Sequence, residues 1–140
     1  MHWKILGVST MMILVLSCSK DSCPLSSGNT NSEMRELPIF REIILYDKIN
    51  LILMADSIQK IRVETGKNLL PGISTIVDGG KLTIQDNNGC KLLRTDASTV
   101  NVYISTGTLE KITYHGAGDV GSTDTIRQNH FTVDCVDGSG

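Results

Sequence analysis

Apolar residues along the body of the chain recur at every second position or in short blocks, and no stretch sustains a helical period. Glu42 to Met54 (EIILYDKINLILM) reads as a strand, a turn at Asp47-Lys48 and a second strand. Ile58 to Thr65 (IQKIRVET) alternates, with Gln59, Ile61 and Val63 on one face against Ile58, Lys60 and Arg62 on the other. Ile73 to Asp86 (ISTIVDGGKLTIQD) predicts a hairpin, in which Asp78-Gly79-Gly80 supplies the positive-φ positions of a tight turn. Val100 to Thr106 (VNVYIST) is the next strand, and LEKITYHG, GDVGSTDTI and HFTVDCVDG continue in the same manner. The body is expected to be all-β.

The end of the chain also repeats. LEKITYHGAG, Leu109 to Gly118, aligns with FTVDCVDGSG, Phe131 to Gly140, at an offset of 22 residues. Leu109 then matches Phe131, Tyr114 matches Val136, and Gly116-Ala117-Gly118 matches Gly138-Ser139-Gly140. A β-rich repeat of that length suits one coil of a β-solenoid. Its short strands would pair with coils above and below, about 4.8 Å away, and its glycines would sit at sharp corners. The expected architecture is a strand and hairpin N-terminal part leading into a solenoid with coils of about 22 residues. The sequence stops on the second Gly-x-Gly step, so the solenoid is expected to be incomplete there. Further coils, or end-to-end self-association, would cover the open end.

The N-terminal stretch has a different composition. Lys4 precedes a mostly apolar run, Ile5 to Leu16 (ILGVSTMMILVL). That run is shorter than the roughly 20 residues a membrane-spanning helix needs and fits the apolar region of a secretory signal. Ser17 stands directly before Cys18, with Val15 and Leu16 ahead of it. This is the arrangement in which a signal peptidase cuts before a lipid-modified cysteine. An ordinary signal peptide cut further on is the competing reading. The segment that follows, SKDSCPLSSGNTNSE, is rich in Ser, Asn, Gly and Pro and has little apolar content, so it reads as a flexible tether. The expected organisation is a lipoprotein signal peptide at 1–17, a tether at 18–36 and a β domain at 37–140, with Cys18 as the lipid attachment site and the membrane as a partner through that lipid. Ser19, rather than Asp, after the cysteine favours the outer membrane, on its periplasmic or its cell-surface face.

Charge and composition narrow the function. Residues 1–17 hold one of the 13 basic side chains and none of the 15 acidic ones, so the remainder carries a formal charge near −3. It has no Lys/Arg cluster, and nucleic acid is not an expected partner. Trp3 is the one tryptophan, so the chain after residue 17 has none and keeps three tyrosines. Cys23, Cys90 and Cys135 remain beside Cys18, with no Cys-x-x-Cys spacing for a metal site. Cys90 and Cys135 read as small buried apolar residues. They are not expected to join each other, because two coils would separate them by more than the roughly 7 Å a disulfide allows. His115, Asp119, Asp124, His130, Asp134 and Asp137 fall close together in sequence, with His115 and Asp137 one repeat apart. Such groups could serve as an acid/base pair or a Ca²⁺ site, but Asp beside Gly is ordinary turn chemistry. No catalytic residues, metal ligands or cofactor are assigned, since the sequence has no nucleophile elbow, zinc helix or phosphate loop.

Several runs resemble a known family: RVETGKNLLPGISTIVDGGKLTI, then DNNGCKLLR, then VNVYISTGTLEKITYHGAGDVGSTDTI. Their order and spacing, from about Leu37 to Gly140, are similar to the head GIN domain family of auto-transporter adhesins carried by many Gram-negative lipoproteins. The resemblance implies an all-β, right-handed β-helix-like body and no established catalytic residue set. It favours a non-catalytic, lipid-anchored cell-envelope protein that binds an unknown glycan or protein ligand as an adhesin or scaffold. The alternative is a β-helix enzyme acting on polysaccharide, a lyase or hydrolase. The scarcity of aromatic residues for sugar stacking, and of a base beside the clustered carboxylates, argues against that alternative.

Replacing Cys18 by Ala is expected to abolish metabolic palmitate labelling and to release the protein from the membrane fraction, because stable anchoring needs more than one acyl chain. Label that persists in the variant would show that the lipid is elsewhere.

Overall fold

The computed structural model of the protein describes residues 26–91, 98–127 and 130–136. The elements run β1 (Thr30–Arg35), β2 (Glu42–Asp47), β3 (Ile49–Met54), β4 (Lys60–Gly66), a single 3₁₀ turn (Leu70–Gly72), β5 (Ile73–Asp78), β6 (Lys81–Asp86), β7 (Val100–Ser105), β8 (Lys111–Gly116), β9 (Val120–Ser122) and β10 (Thr132–Cys135). The expected strands are present and the described body is all-β. β5 and β6 form the expected hairpin, with Asp78 opposite Lys81 and Gly79 and Gly80 at φ 54° and 76°.

The strands form two five-stranded sheets. Sheet A has the order β1-β4-β7-β3-β9 and sheet B the order β10-β8-β2-β6-β5. The two share one apolar core. In sheet B, Ile43 lies between Leu82 and Ile112, and Leu45 between Ile84 and Tyr114. In sheet A, Leu51 is flanked by Val102 and Val120, and Val102 is opposite Val63. These side chains are buried, apart from half-buried Val120, while their neighbours in sequence point outward. Period-2 alternation thus translates directly into one dry and one wet face per sheet.

This arrangement corrects the expectation of successive coils. β2 and β3, the earliest strands of the parallel set, sit between later ones. β2 pairs in parallel with both β6 and β8, and β3 with both β7 and β9. The chain therefore interleaves its strand pairs instead of stacking them in sequence order, and β1, β4 and β5 add antiparallel. The repeat at the chain end does pair in parallel, but Thr132 is opposite Lys111 and Cys135 opposite Tyr114. That register is 21 residues, not 22, because the pairing follows the backbone ladder rather than the matched glycines. A one-residue shift exchanges the two faces of the strand. The stretch assigned to a tether also holds structure: β1 begins at Thr30. Its side chains are mostly exposed, so composition gave no sign of it, and its backbone pairs with β4 from Thr30–Gly66 to Arg35–Ile61.

Arg35 ends β1 and ties the outer strands of the two sheets together. Its Nη1 donates to the Ile73 carbonyl at 2.5 Å and to Thr75 Oγ1 at 3.0 Å, and Nη2 donates to the Leu70 carbonyl at 3.2 Å.

The passage from β2 to β3 is a corner from sheet B to sheet A. Asp47 turns it at φ 64°, a left-handed conformation that Asp tolerates better than most residues. Its carboxylate accepts from the Asp86 N–H at 3.1 Å and from Lys91 Nζ at 2.8 Å. Gly116 lies directly beside Asp47 in the ladder. A Cβ on Gly116 would overlap the Asp47 carbonyl oxygen, and one on Gly118 would overlap that of Ile49. The expectation that these glycines mark a corner holds, and the reason is close approach of two backbones. The buried Tyr114 hydroxyl accepts from the Gly118 N–H and donates to the Ile49 carbonyl at 3.2 Å.

The cysteines differ from their expected role. Cys90 is half-buried, at φ 55°, and disulfide-bonded rather than a small buried apolar residue. Cys135 is free and exposed, because β10 is an edge strand. The two are not joined to each other, as expected. β8 and β2 stand between β10 and β6, a separation of three strand spacings or roughly 14 Å.

Gly116→Ala should therefore destabilise the domain by about 3 kcal/mol, a fall of some 10–20 °C in Tm. Gly121→Ala, whose Cβ meets nothing within 4 Å, should stay within about 0.5 kcal/mol of the parent. Thermal melts of the two variants check both.

Burial pushes the Tyr114 phenol above the ordinary value of 10.0, with the Gly118 N–H opposing the shift. The folded chain then holds that proton more tightly than the unfolded chain. Its contribution is whole below pH 10 and is lost as pH rises from there through the raised folded-state value. Tyr114→Phe should cost about 1 kcal/mol at neutral pH and flatten this alkaline fall in urea denaturation.

Candidate functional site

Among the described residues, the acidic and histidine side chains that stand close in sequence do not gather in space. His115 stacks on Tyr46 on the outer face of sheet B, ring centres 5.1 Å apart and planes 12° from parallel, because the parallel register sets the two side by side. Asp119 works through its backbone: its N–H donates to Asn50 Oδ1 at 3.0 Å and its carbonyl accepts from Leu51 at 2.8 Å. Asp124 closes a small turn with the Ser122 hydroxyl. Asp134 pairs with Lys111 at 2.7 Å, and this hydrogen bond raises the lysine above its usual range. His130 is exposed. Asp137, and with it the expected His115–Asp137 neighbourhood, lies outside the described residues, as do Cys18 and Cys23. Among the described residues no three His, Cys, Asp or Glu side chains are placed to hold a metal ion.

The register across sheet A assembles a surface that no single strand announces. On its outer face Met34 is opposite Arg62, Arg62 opposite Tyr103, Tyr103 opposite Ile52, and Ile52 opposite Gly121. Four side chains in a row thus span about 14 Å across the sheet. The Arg62 guanidinium carbon lies 4.0 Å from the Tyr103 ring centre. Glu64 holds this pair from the side, 3.2 Å from Arg62 Nη1 and 3.3 Å from the Tyr103 hydroxyl, which donates to it. The next row is polar: Asn50 Nδ2 donates to Asn101 Oδ1 at 3.0 Å. Met34 is more than half exposed, and Ile52 and Tyr103 are partly so.

A groove opens at one end of the same sheet. β7, β3 and β9 are neighbouring parallel strands, so their outgoing loops emerge together. Between those loops is a hollow of about 370 Å³. Its floor is core side chains, Leu53, Ile104 and Leu109, and its rim carries Met54, Ile126 and Arg127. Asp56 also lines it, but this carboxylate is bound by Lys60 Nζ at 2.9 Å and by the Ile58 N–H at 3.0 Å. Those hydrogen bonds, that of Lys60 foremost, hold it below the usual carboxylate range.

Comparison with known proteins bears on the family and the fold. Residues 39–140 match the family described as "Putative auto-transporter adhesin, head GIN domain". The chain belongs to the head GIN domain family. No curated protein matches it. Its fold is similar to a "putative adhesin" of Bacteroides fragilis, with a TM-score of 0.68 and 15% identity over 78% of this chain and 50% of that one. A "putative adhesin" of Parabacteroides merdae gives 0.65 and 13% identity, covering 79% of this chain and 45% of that one. A "putative lipid binding protein" of Parabacteroides distasonis gives 0.60 and 17% identity, covering 77% and 46%. The chain spans about half the length of these structures.

As a head GIN domain, the protein carries its notable surface features on sheet A, and none of the acidic and histidine residues that stood out in the sequence lines the row or the groove. The signal that could have found Arg62, Tyr103 and Ile52 is their place as the outward members of alternating strands. What the sequence withholds is the order of the strands, which alone brings them into one row.

Proposed function

We propose that the protein is a lipid-anchored adhesion module of the cell envelope, held to the outer membrane through Cys18, that engages a protein surface through the outer face of sheet A. The row Met34, Arg62, Tyr103, Ile52 carries this reading. Met, Arg and aromatic side chains are the types enriched at protein interfaces. The Arg62–Tyr103 stack and its Glu64 brace hold two of them in place before contact, which lowers the ordering cost of binding. A row of side chains spread over four strands suits a broad partner better than a small molecule. Membership of a family of adhesins supports an envelope setting, and no helix among the described residues is long and apolar enough to cross a membrane.

The full chain, probed against arrays of matrix proteins and glycans, tests the proposal. The double variant Ile52→Thr/Tyr103→Thr, which places β-branched side chains on both strands, should lower retention on its protein target at least about tenfold while the circular dichroism spectrum remains that of a folded β protein. Thr83→Asp, on the outer face of sheet B, should leave retention intact. Equal binding by the double variant would remove sheet A from the interface.

A second reading rests on the groove. Its volume of about 370 Å³ falls in the range of small-ligand sites, about 300–1,000 Å³, and its floor is apolar. The similar Parabacteroides distasonis structure is described as a "putative lipid binding protein". Under this reading the groove takes an apolar ligand.

A further inference from the structure

We propose that the groove selects the charge of its ligand, accepting a single-chain amphiphile with an anionic head and rejecting a cationic one, with Arg127 as the residue that discriminates. This rests on the reading of the groove as a site for an apolar ligand and adds the chemical class of that ligand.

Two charged side chains line the hollow, and they are not equivalent. Asp56 is already committed to Lys60 and to the Ile58 N–H. Arg127 has no ion pair or hydrogen bond among the described residues and stands at the rim beside Ile126, which is 38% exposed. With the acid neutralised and the guanidinium free, the mouth of the groove is positive. The floor, by contrast, is made of Leu53, Ile104 and Leu109, which offer water no hydrogen bonds. A hydrocarbon tail fits such a floor, since it replaces water that the walls hold poorly. A carboxylate at the end of that tail would meet the planar donor fork of Arg127, which suits carboxylate geometry. A tail of the same length with a quaternary ammonium head would set two cations together at the rim.

The placement has a structural cause. Three parallel strands deliver their outgoing loops to one end of sheet A. The loop after β3 supplies Asp56, and the loop after β9 supplies Ile126 and Arg127. The two rim charges therefore belong to different loops, and either can be changed without touching a strand.

The test is calorimetric titration of the full chain with dodecanoate, dodecyl phosphate and dodecyltrimethylammonium, each below its micelle concentration. Dodecanoate should bind about tenfold more tightly than dodecyltrimethylammonium, and the preference should shrink as salt is added. Dodecyl phosphate separates a specific fit to carboxylate from a general preference for anions: binding as tight as dodecanoate assigns the site to anionic heads of either kind. Arg127→Gln should equalise the anionic and cationic ligands while binding of the tail persists. Ile126→Asn, a neutral change at an exposed rim position, should weaken all three. Equal affinities in the unaltered protein, or a preference that survives Arg127→Gln, would overturn the charge selection and leave an apolar site standing. Failure of all three ligands to bind would overturn the apolar site together with the selection.

Discussion

The close contact of two backbone corners holds this domain in register. Where β2 turns into β3, the Asp47 carbonyl faces Gly116 with no room for a side chain between them. This contact sets β2 against β8 in sheet B, and the approach of Gly118 to Ile49 beside it leads the chain into β3 and β9 of sheet A. The Tyr114 hydroxyl locks it, taking the Gly118 N–H and giving its own proton to the Ile49 carbonyl. Asp47 can occupy its unusual conformation because its carboxylate is fully used, by the Asp86 amide on one oxygen and Lys91 on the other. The buried polar group at this corner is the Tyr114 hydroxyl: with both partners in place it rigidifies its surroundings, and left short it would cost more than it gives.

From this centre the core thins unevenly. Toward β1 and β5 it is closed by Arg35, which spans from one sheet to the other. Toward β9 and β10 the buried rows end in smaller or wetter residues: Leu53 gives way to Ser122, and Ile112 to Val133, which is 44% exposed. The groove lies where sheet A ends near this thinner side. The row on the outer face of sheet A lies over fully buried core, beside Val63, Val102 and Leu51. A rigid support beneath a contact face and a looser rim around a hollow are what the two proposed kinds of binding respectively need.

Local pattern and long-range pairing were legible to different degrees. The alternation of Ile61 and Val63 against Arg62 and the hairpin at Gly79-Gly80 were readable, because each depends on residues close together in the chain; the corner glycines 116 and 118 were readable from their spacing, while the approach of Asp47 and Ile49 that requires them was not. The family was readable from the order of such steps. The interleaving of β2 between β6 and β8 was not, because parallel pairing leaves no mark at the junctions of the sequence. The repeat at the chain end misled by one residue. It aligned the glycines, whereas the ladder aligns Tyr114 with Cys135. β1 escaped notice because an edge strand with polar side chains on both faces looks like a linker. Cys90 could not be told from a buried thiol without knowing what lies near it.

The interleaved strand order also sets the sequence of events when the chain is made. β2 and β3 emerge from synthesis before any of their parallel partners exist. They acquire one set of neighbours only with β6 and β7, and the other only with β8 and β9. No early length of chain can therefore close a parallel pair by itself. Each pairing must wait for a long loop to return, which is the entropic cost that slows folds of this kind. Under the envelope role proposed above, that delay is an advantage, since a polypeptide without stable early structure is still threadable when it reaches the membrane.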